Sequence, residues 1–237
     1  MKEITHKGLA RLVGLYGSYP IDSNNLQILE FSSVEPDRLN REEIGKGLFK
    51  AIKTSIEWLV DHTVKAKELS IQYIDEATKA YNSGDQSWSR WLGWCFHFIT
   101  DWATPYHSPT SKSNPILNST SGIFKKASEN DDGLFLTTLN IVSNLIKFKV
   151  EHDNFEDICE ERWQQNETIV KNNFIKFKNN RISFVDLKVF IEMMDDLRLK
   201  CENLSPDWII NSTNQEFARY MTEIAIVMDV ACCIVLG

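Results

Sequence analysis

The chain has little of what punctuates or staples a protein. Ten glycines and six prolines in 237 residues leave few turn and breaker positions, which favours long helices over many short strands. Its five cysteines (Cys95, Cys159, Cys201, Cys232 and Cys233) are an odd number with no regular spacing and no Cys-x-x-Cys pair. They read as buried thiols rather than a disulfide framework. No apolar run suits a bilayer. The longest, "IAIVMDVACCIVLG" at 224–237, is short and carries Asp229, whereas a spanning helix needs about 20 consecutive apolar residues. The opening "MKEITHKGLARLVGLYGS" has neither the apolar core nor the cleavage site of a signal peptide, so a cytoplasmic protein is expected. Basic charge is also scarce: the formal net charge is −7 and the pI near 5.3. A surface of that sign disfavours the phosphate backbone of nucleic acids. It leaves room for a nucleotide or phospholipid substrate, because bound cations can supply positive charge locally.

What is present is helical periodicity and an ordinary apolar fraction of 43%, enough for one large domain spanning 1–237 with a substantial core. Apolar residues recur at helical spacing over 3–15, 41–61, 64–82, 86–103, 132–163, 165–178, 184–202 and 214–235. The fold class expected is all-α, a compact multi-helix domain. "SGD" at 83–85 separates two helices, with Asp85 as an N-cap for the second. Ser183 suits a helix start in the same way, although "NRISFVDLKVF" also reads as the beginning of a strand. Two stretches, 16–40 and 108–131, read as irregular. The second is rich in Ser, Asn, Pro and Gly and follows His107 directly, as either a covering loop or a surface insertion.

The chemistry concentrates in "GWCFHFITDWATPYHSP", residues 93–109. His97 and Asp101 are spaced i, i+4, so a helix places them on one face about one turn apart. Pro105 ends that helix and lets the chain turn back to present His107. "EHDNFEDICEERW" repeats the spacing with His152 and Glu156. One such pair is usually an ordinary hydrogen-bonded couple. Two pairs and a third imidazole, set in segments too apolar for unpartnered polar groups, make a donor set for a borderline cation such as zinc. Trp88, Trp91, Trp94 and Trp102 read as core more than as a substrate platform.

The segment "LGWCFHFITDWATPYH" resembles the signature of the zinc-dependent phospholipase C family, a superfamily shared with the fungal single-strand-specific zinc nucleases. The resemblance rests on Leu92-Gly93, His97, Asp101, Pro105 and His107, with the later pair matched by His152 and Glu156. It implies an all-α phospholipase C-type domain holding up to three zinc ions. By that resemblance Asp37, His62, His97 and Asp101 bind one ion, and His107, His152 and Glu156 a second. A third takes His6, Asp101 and the amino nitrogen and carbonyl oxygen of Met1. The chain's five histidines fall in the family's order. The 25 residues between Asp37 and His62, and the gap from His107 to His152, exceed the family's usual spacing. The resemblance also implies a zinc-dependent phosphoric diester hydrolase, with Asp37 as proton acceptor and Asp101 bridging two ions. The expected substrate is a phospholipid head-group linkage, since Glu156 matches the phospholipase branch. A zinc nuclease or nucleotide phosphoesterase, and a non-catalytic metal-stabilised helical binding protein, are the alternatives.

Overall fold

The structure is a computed structural model that describes residues 3–38, 61–107, 134–178 (backbone only for 134–149), 185–204 and 207–237. Every regular element among them is helical: α1 (Glu3–Tyr16), α2 (Ser23–Ser32), α3 (Ala66–Asn82), α4 (Trp88–Trp102), a 3₁₀ turn (Pro105–His107), α5 (Leu134–Lys178), α6 (Leu187–Glu202), α7 (Trp208–Asn211) and α8 (Asn214–Leu236). The all-α expectation matches.

The apolar C-terminal run forms the post around which the others stand. Helix α8 packs against α1, α3, α4, α5 and α6, and from Phe217 to Cys232 nearly every residue is buried. A helix apolar on all sides must be covered on all sides, and each buried Leu, Ile, Val, Phe or Met contributes about 1.5–3 kcal/mol. Its start is set by a capping box: the Glu216 amide donates to Thr213 Oγ1 (3.2 Å), and the Thr213 amide donates to the Glu216 carboxylate (2.8 Å). No helix among the described residues is long and apolar enough to cross a membrane. All five cysteines are free thiols, and four of them are buried.

Three boundaries differ from the sequence expectation. Residues 134–178 form one 45-residue helix, not two; nothing in that span is Gly or Pro, and Asn166 is absorbed by donating its amide to the Arg162 carbonyl one turn back (2.8 Å). The stretch 16–40, expected to be irregular, contains α2, whose polar sequence is nucleated by Asp22 accepting from the amides of Asn24 and Asn25. Asp85 is not the N-cap of α4: Ser87 holds that position, and Asp85 accepts the Ser87 amide (2.8 Å). The turn before it closes α3 as a Schellman motif, with Asp85 N–H on the Ala80 carbonyl and Gly84 N–H on that of Tyr81. Gly84 sits at φ 74° there, a conformation open to glycine. Helix α6 begins after Asp186, which accepts the Val189 amide (2.9 Å). Ser183, the proposed strand start, the loop 108–131 and most of the 41–61 helix lie outside the described residues.

The one buried acid of the post, Asp229, is 1% exposed. It accepts from the amide (2.7 Å) and hydroxyl (2.8 Å) of Ser18, yet burial holds its carboxyl above the ordinary value of 3.8. A raised folded-state pKa means the folded protein keeps a proton that the unfolded chain has released. The associated stability is complete below the unfolded pKa and is lost as pH rises through the folded one. Asn at this position keeps both contacts and cannot ionise. Asp229→Asn is therefore expected to gain stability relative to the parent as pH rises above about 4. Urea midpoints of both proteins at pH 4 and pH 7 measure this; a constant difference contradicts it.

Candidate metal centre

Asp101 lies on the inner face of α4 at 1% exposure, and three imidazoles surround its carboxylate. Oδ2 is in close contact with His62 Nδ1 and lies 3.1 Å from His97 Nε2. Oδ1 lies 3.2 Å from His107 Nδ1. The two oxygens therefore address two separate sets of nitrogens. On the Oδ2 side the cluster is completed by Asp37, whose Oδ1 is 3.8 Å from His97 Nε2 and 3.9 Å from His62 Nδ1. On the other side His107 Nε2 faces His152 Nε2 at 2.6 Å, with the rings stacked within 5° of parallel. Glu156 Oε1 is 3.5 Å from the same His152 nitrogen.

The donors arrive from several elements. His97 and Asp101 come from successive turns of α4, and His107 from the 3₁₀ turn that Pro105 opens just after it. His152 and Glu156 are a turn apart on α5. Asp37 lies among the helical residues 35–38 after α2, and His62 among those at 61–63 before α3. His6 is on the buried face of α1 and stacks on His97 with ring centroids 4.7 Å apart.

His6 carries the clearest sign of an incomplete site. It is 1% exposed, and neither ring nitrogen has a hydrogen-bond partner among the described residues. Leaving a buried polar atom unpaired costs about 1–3 kcal/mol, so such a group needs something to bind. Its donor lies within 4.8 Å of those of Asp37 and His97. His62, His97 and Asp101 form a second group of that kind, and His152, Asp153 and Glu156 a third. These His, Asp and Glu clusters could hold metal ions.

Electrostatics divide the site in two. Burial alone would lower the pKa of His97, but the carboxylates of Asp101 and Asp37 raise it to about 9. Burial lowers that of His107 to about 4, despite Asp101, with His152 adding to the effect. Burial also holds His6 well below the ordinary histidine range. Asp101 and Asp37 would both be raised by burial; instead the imidazoles, His97 foremost, hold both carboxyls below the ordinary aspartate range. Ionised carboxylates and the neutral rings of His6 and His107 are in the protonation states that metal ligation requires, whereas His97 has to release a proton to ligate.

The supporting contacts fix which atoms point inward. His97 Nδ1 donates to the Ser33 carbonyl (3.0 Å), which leaves Nε2 as the atom that could ligate a metal. That carbonyl is within reach because α2 crosses α4 at Gly93. A Cβ there would lie 2.6 Å from Ser32 Cβ and 2.8 Å from the Leu29 carbonyl oxygen. The aromatic side of α4 is mixed: Trp88 is buried, whereas Trp91, Trp94 and Trp102 are partly exposed. Trp94 Nε1 donates to Glu35 (2.8 Å).

Of the nine residues singled out in the sequence, His6, Asp37, His62, His97, Asp101, His107, His152 and Glu156 are brought together. Met1 lies outside the described residues. His6 stands with Asp37 and His97. The sequence reading missed Asp153, whose Oδ1 is 3.9 Å from His152 Nδ1. Its adjacency to His152 was visible, but helical spacing sets neighbouring residues on different faces. It also missed the Ser33 carbonyl, which no side-chain pattern reports. Comparison with family models, curated proteins and solved structures returned no match.

Gly93 links packing to the site in a testable way. The atoms that would meet a Cβ there are largely backbone and cannot swing aside. Gly93→Ala is expected to cost about 1–3 kcal/mol through overpacking, outweighing the gain of roughly 0.5–1 kcal/mol that Ala brings to an open helix position. Denaturant unfolding measures the sign, and a stabilised variant contradicts the close approach.

Proposed function

We propose that this protein is a metal-dependent phosphodiester hydrolase of the phospholipase C type, acting through a zinc cluster held by these residues. The observation that carries the reading is the pair of unpartnered nitrogens on buried His6, beside a carboxylate whose two oxygens face separate groups of imidazoles. The donor chemistry fits zinc: nitrogen and carboxylate oxygen without thiolate, four donors converging from Asp37, His62, His97 and Asp101, and three from His107, His152 and Glu156. His6 and Asp101, together with Met1, are assigned to a third ion by the family resemblance alone.

Bound zinc supplies Lewis acidity toward a phosphoryl oxygen and brings the ionisation of water toward neutral pH. The rest falls to the chain. Asp101, dry and ionised, holds the two groups of donors at a set separation through its two oxygens. The Asp37 side chain is the more open of the two carboxylates, 21% exposed against 2% for the side chain of Asp101. It is the candidate to accept a proton from water and pass it to solvent. His97 is held by Ser33 with Nε2 inward, so its orientation is set before any substrate arrives. A phospholipid head-group linkage is the preferred substrate, because a net charge of −7 opposes the approach of a polynucleotide.

Metal analysis and a substrate comparison test the reading together. The purified protein is expected to contain up to three zinc ions per chain and to hydrolyse phosphatidylcholine in mixed micelles. Asp101→Asn should lower both metal content and rate, the latter by a hundredfold or more if the ions set the barrier (about 2.7 kcal/mol). A protein free of metal after zinc loading refutes the proposal. Cleavage of single-stranded DNA in place of lipid redirects it to the nuclease branch. Bound zinc with neither activity makes the cluster a structural element.

A further inference from the structure

The second group of donors depends on His107, and His107 stands on a weak support. A three-residue 3₁₀ turn has poor hydrogen-bond geometry and little rigidity of its own. The His107 amide donates to the Thr104 carbonyl (2.9 Å) at its start. From α6 it is met by Arg198, a residue with no place among the donors and only 6% exposed. One guanidinium nitrogen donates to the carbonyl of Trp102 (2.9 Å) and another to that of His107 (3.1 Å). The guanidinium lies over the Trp102 ring, 4.1 Å from its centre, and Nε is 3.3 Å from the Glu202 carboxylate.

These contacts span the joint between two metal-binding segments. Trp102 follows Asp101 directly and closes α4, while His107 ends the turn. A planar fork that grips both carbonyls fixes the distance from the end of α4 to the His107 backbone. That distance in turn decides whether His107 Nδ1 can sit 3.2 Å from Asp101 Oδ1 while Nε2 reaches His152. Neighbouring contacts hold the near side of the joint: Tyr220 donates to the Ala103 carbonyl (2.6 Å), and Trp102 Nε1 to that of Met194 (2.9 Å). Arg198 reaches past them to the ligand residue itself.

We infer that Arg198 is a positioning residue for the metal centre, presetting His107 against Asp101 and His152 so that the second ion finds a formed site. The inference rests on the metal-site reading above and adds to it a residue from a helix that carries no ligand. A lysine cannot replace it fully, because an ammonium is a point donor without the rigid fork that grips two carbonyls at once.

The test is a zinc titration against a chromophoric chelator, run on the metal-stripped full-length protein and on Arg198→Met, Arg198→Lys and Arg162→Met. Arg162 is the control: it is a buried arginine that ties α5 to the carbonyl of Ile209 and to Ser212 and Asn214, away from the donors. Arg198→Met is expected to weaken one of the ions by about 10–100-fold, the usual effect of losing a supporting partner, and to leave the others as in the parent. Arg198→Lys should fall between Arg198→Met and the parent, and Arg162→Met should bind like the parent at a comparable loss of thermal stability. If Arg198→Met does not fold, Arg198→Lys decides the matter alone. Parent-like affinity in the Arg198 variant read, or equal weakening in Arg162→Met, overturns the positioning role while leaving the metal site intact. A parent that binds no zinc overturns the metal reading and this inference with it.

Discussion

An ionised carboxylate buried at 1% exposure is the constraint around which this helical domain is organised. Removing such a charge from water costs several kcal/mol even after relaxation, so Asp101 exists in the core only because other groups compensate it. His62 and His97 do so at one oxygen and His107 at the other. Meeting that demand brings four chain segments to one place: the last turns of α4, the turn after it, the stretch at 61–63 and, through His152, the helix α5. Once these are together, Asp37, Glu156 and His6 have little freedom left.

Division of labour among the helices makes this affordable to the fold. Helix α8 supplies an apolar post that contacts α1, α3, α4, α5 and α6, so α4 can turn a polar face inward without leaving the domain short of core. The supporting contacts around α4 then act on geometry. Gly93 lets α2 approach, α2 delivers the Ser33 carbonyl, and that carbonyl orients His97. On the opposite side α6 delivers Arg198 to the joint between α4 and the His107 turn. The electrostatic asymmetry follows from placement. His97 faces two carboxylates and is raised to about 9, while His107, buried and packed on His152, is lowered to about 4. Cation binding to such a cluster displaces protons mainly from the His97 side.

Much of the candidate site was legible in the sequence because its units are local. His97 with Asp101, and His152 with Glu156, obey a four-residue spacing that any helix converts into a shared face, and Pro105 marks the return of the chain. Segments without that regularity were harder to read. Helix α2 looked irregular because its residues are polar and weakly amphipathic; its existence rests on the Asp22 cap and on packing against α1 and α4. The 45-residue α5 was divided at Gln164 because its apolar stripe is weak there, although no residue in the span breaks a helix. Asp153 and Arg198 escaped because one breaks helical spacing and the other acts through main-chain carbonyls.

By itself the sequence determined the helical class, the segments bearing imidazole and carboxylate, and the local pairs among them, since periodicity and capping act over a few residues. Tertiary structure alone decided that His6 lies unpartnered against His97, that Asp101 is shared between two sets of nitrogens, and that His97 presents Nε2. Those outcomes depend on contacts between residues dozens of positions apart, from His97 with Ser33 to His107 with His152. Their geometry is set by how whole helices pack on α8, and short-range spacing carries no record of that packing.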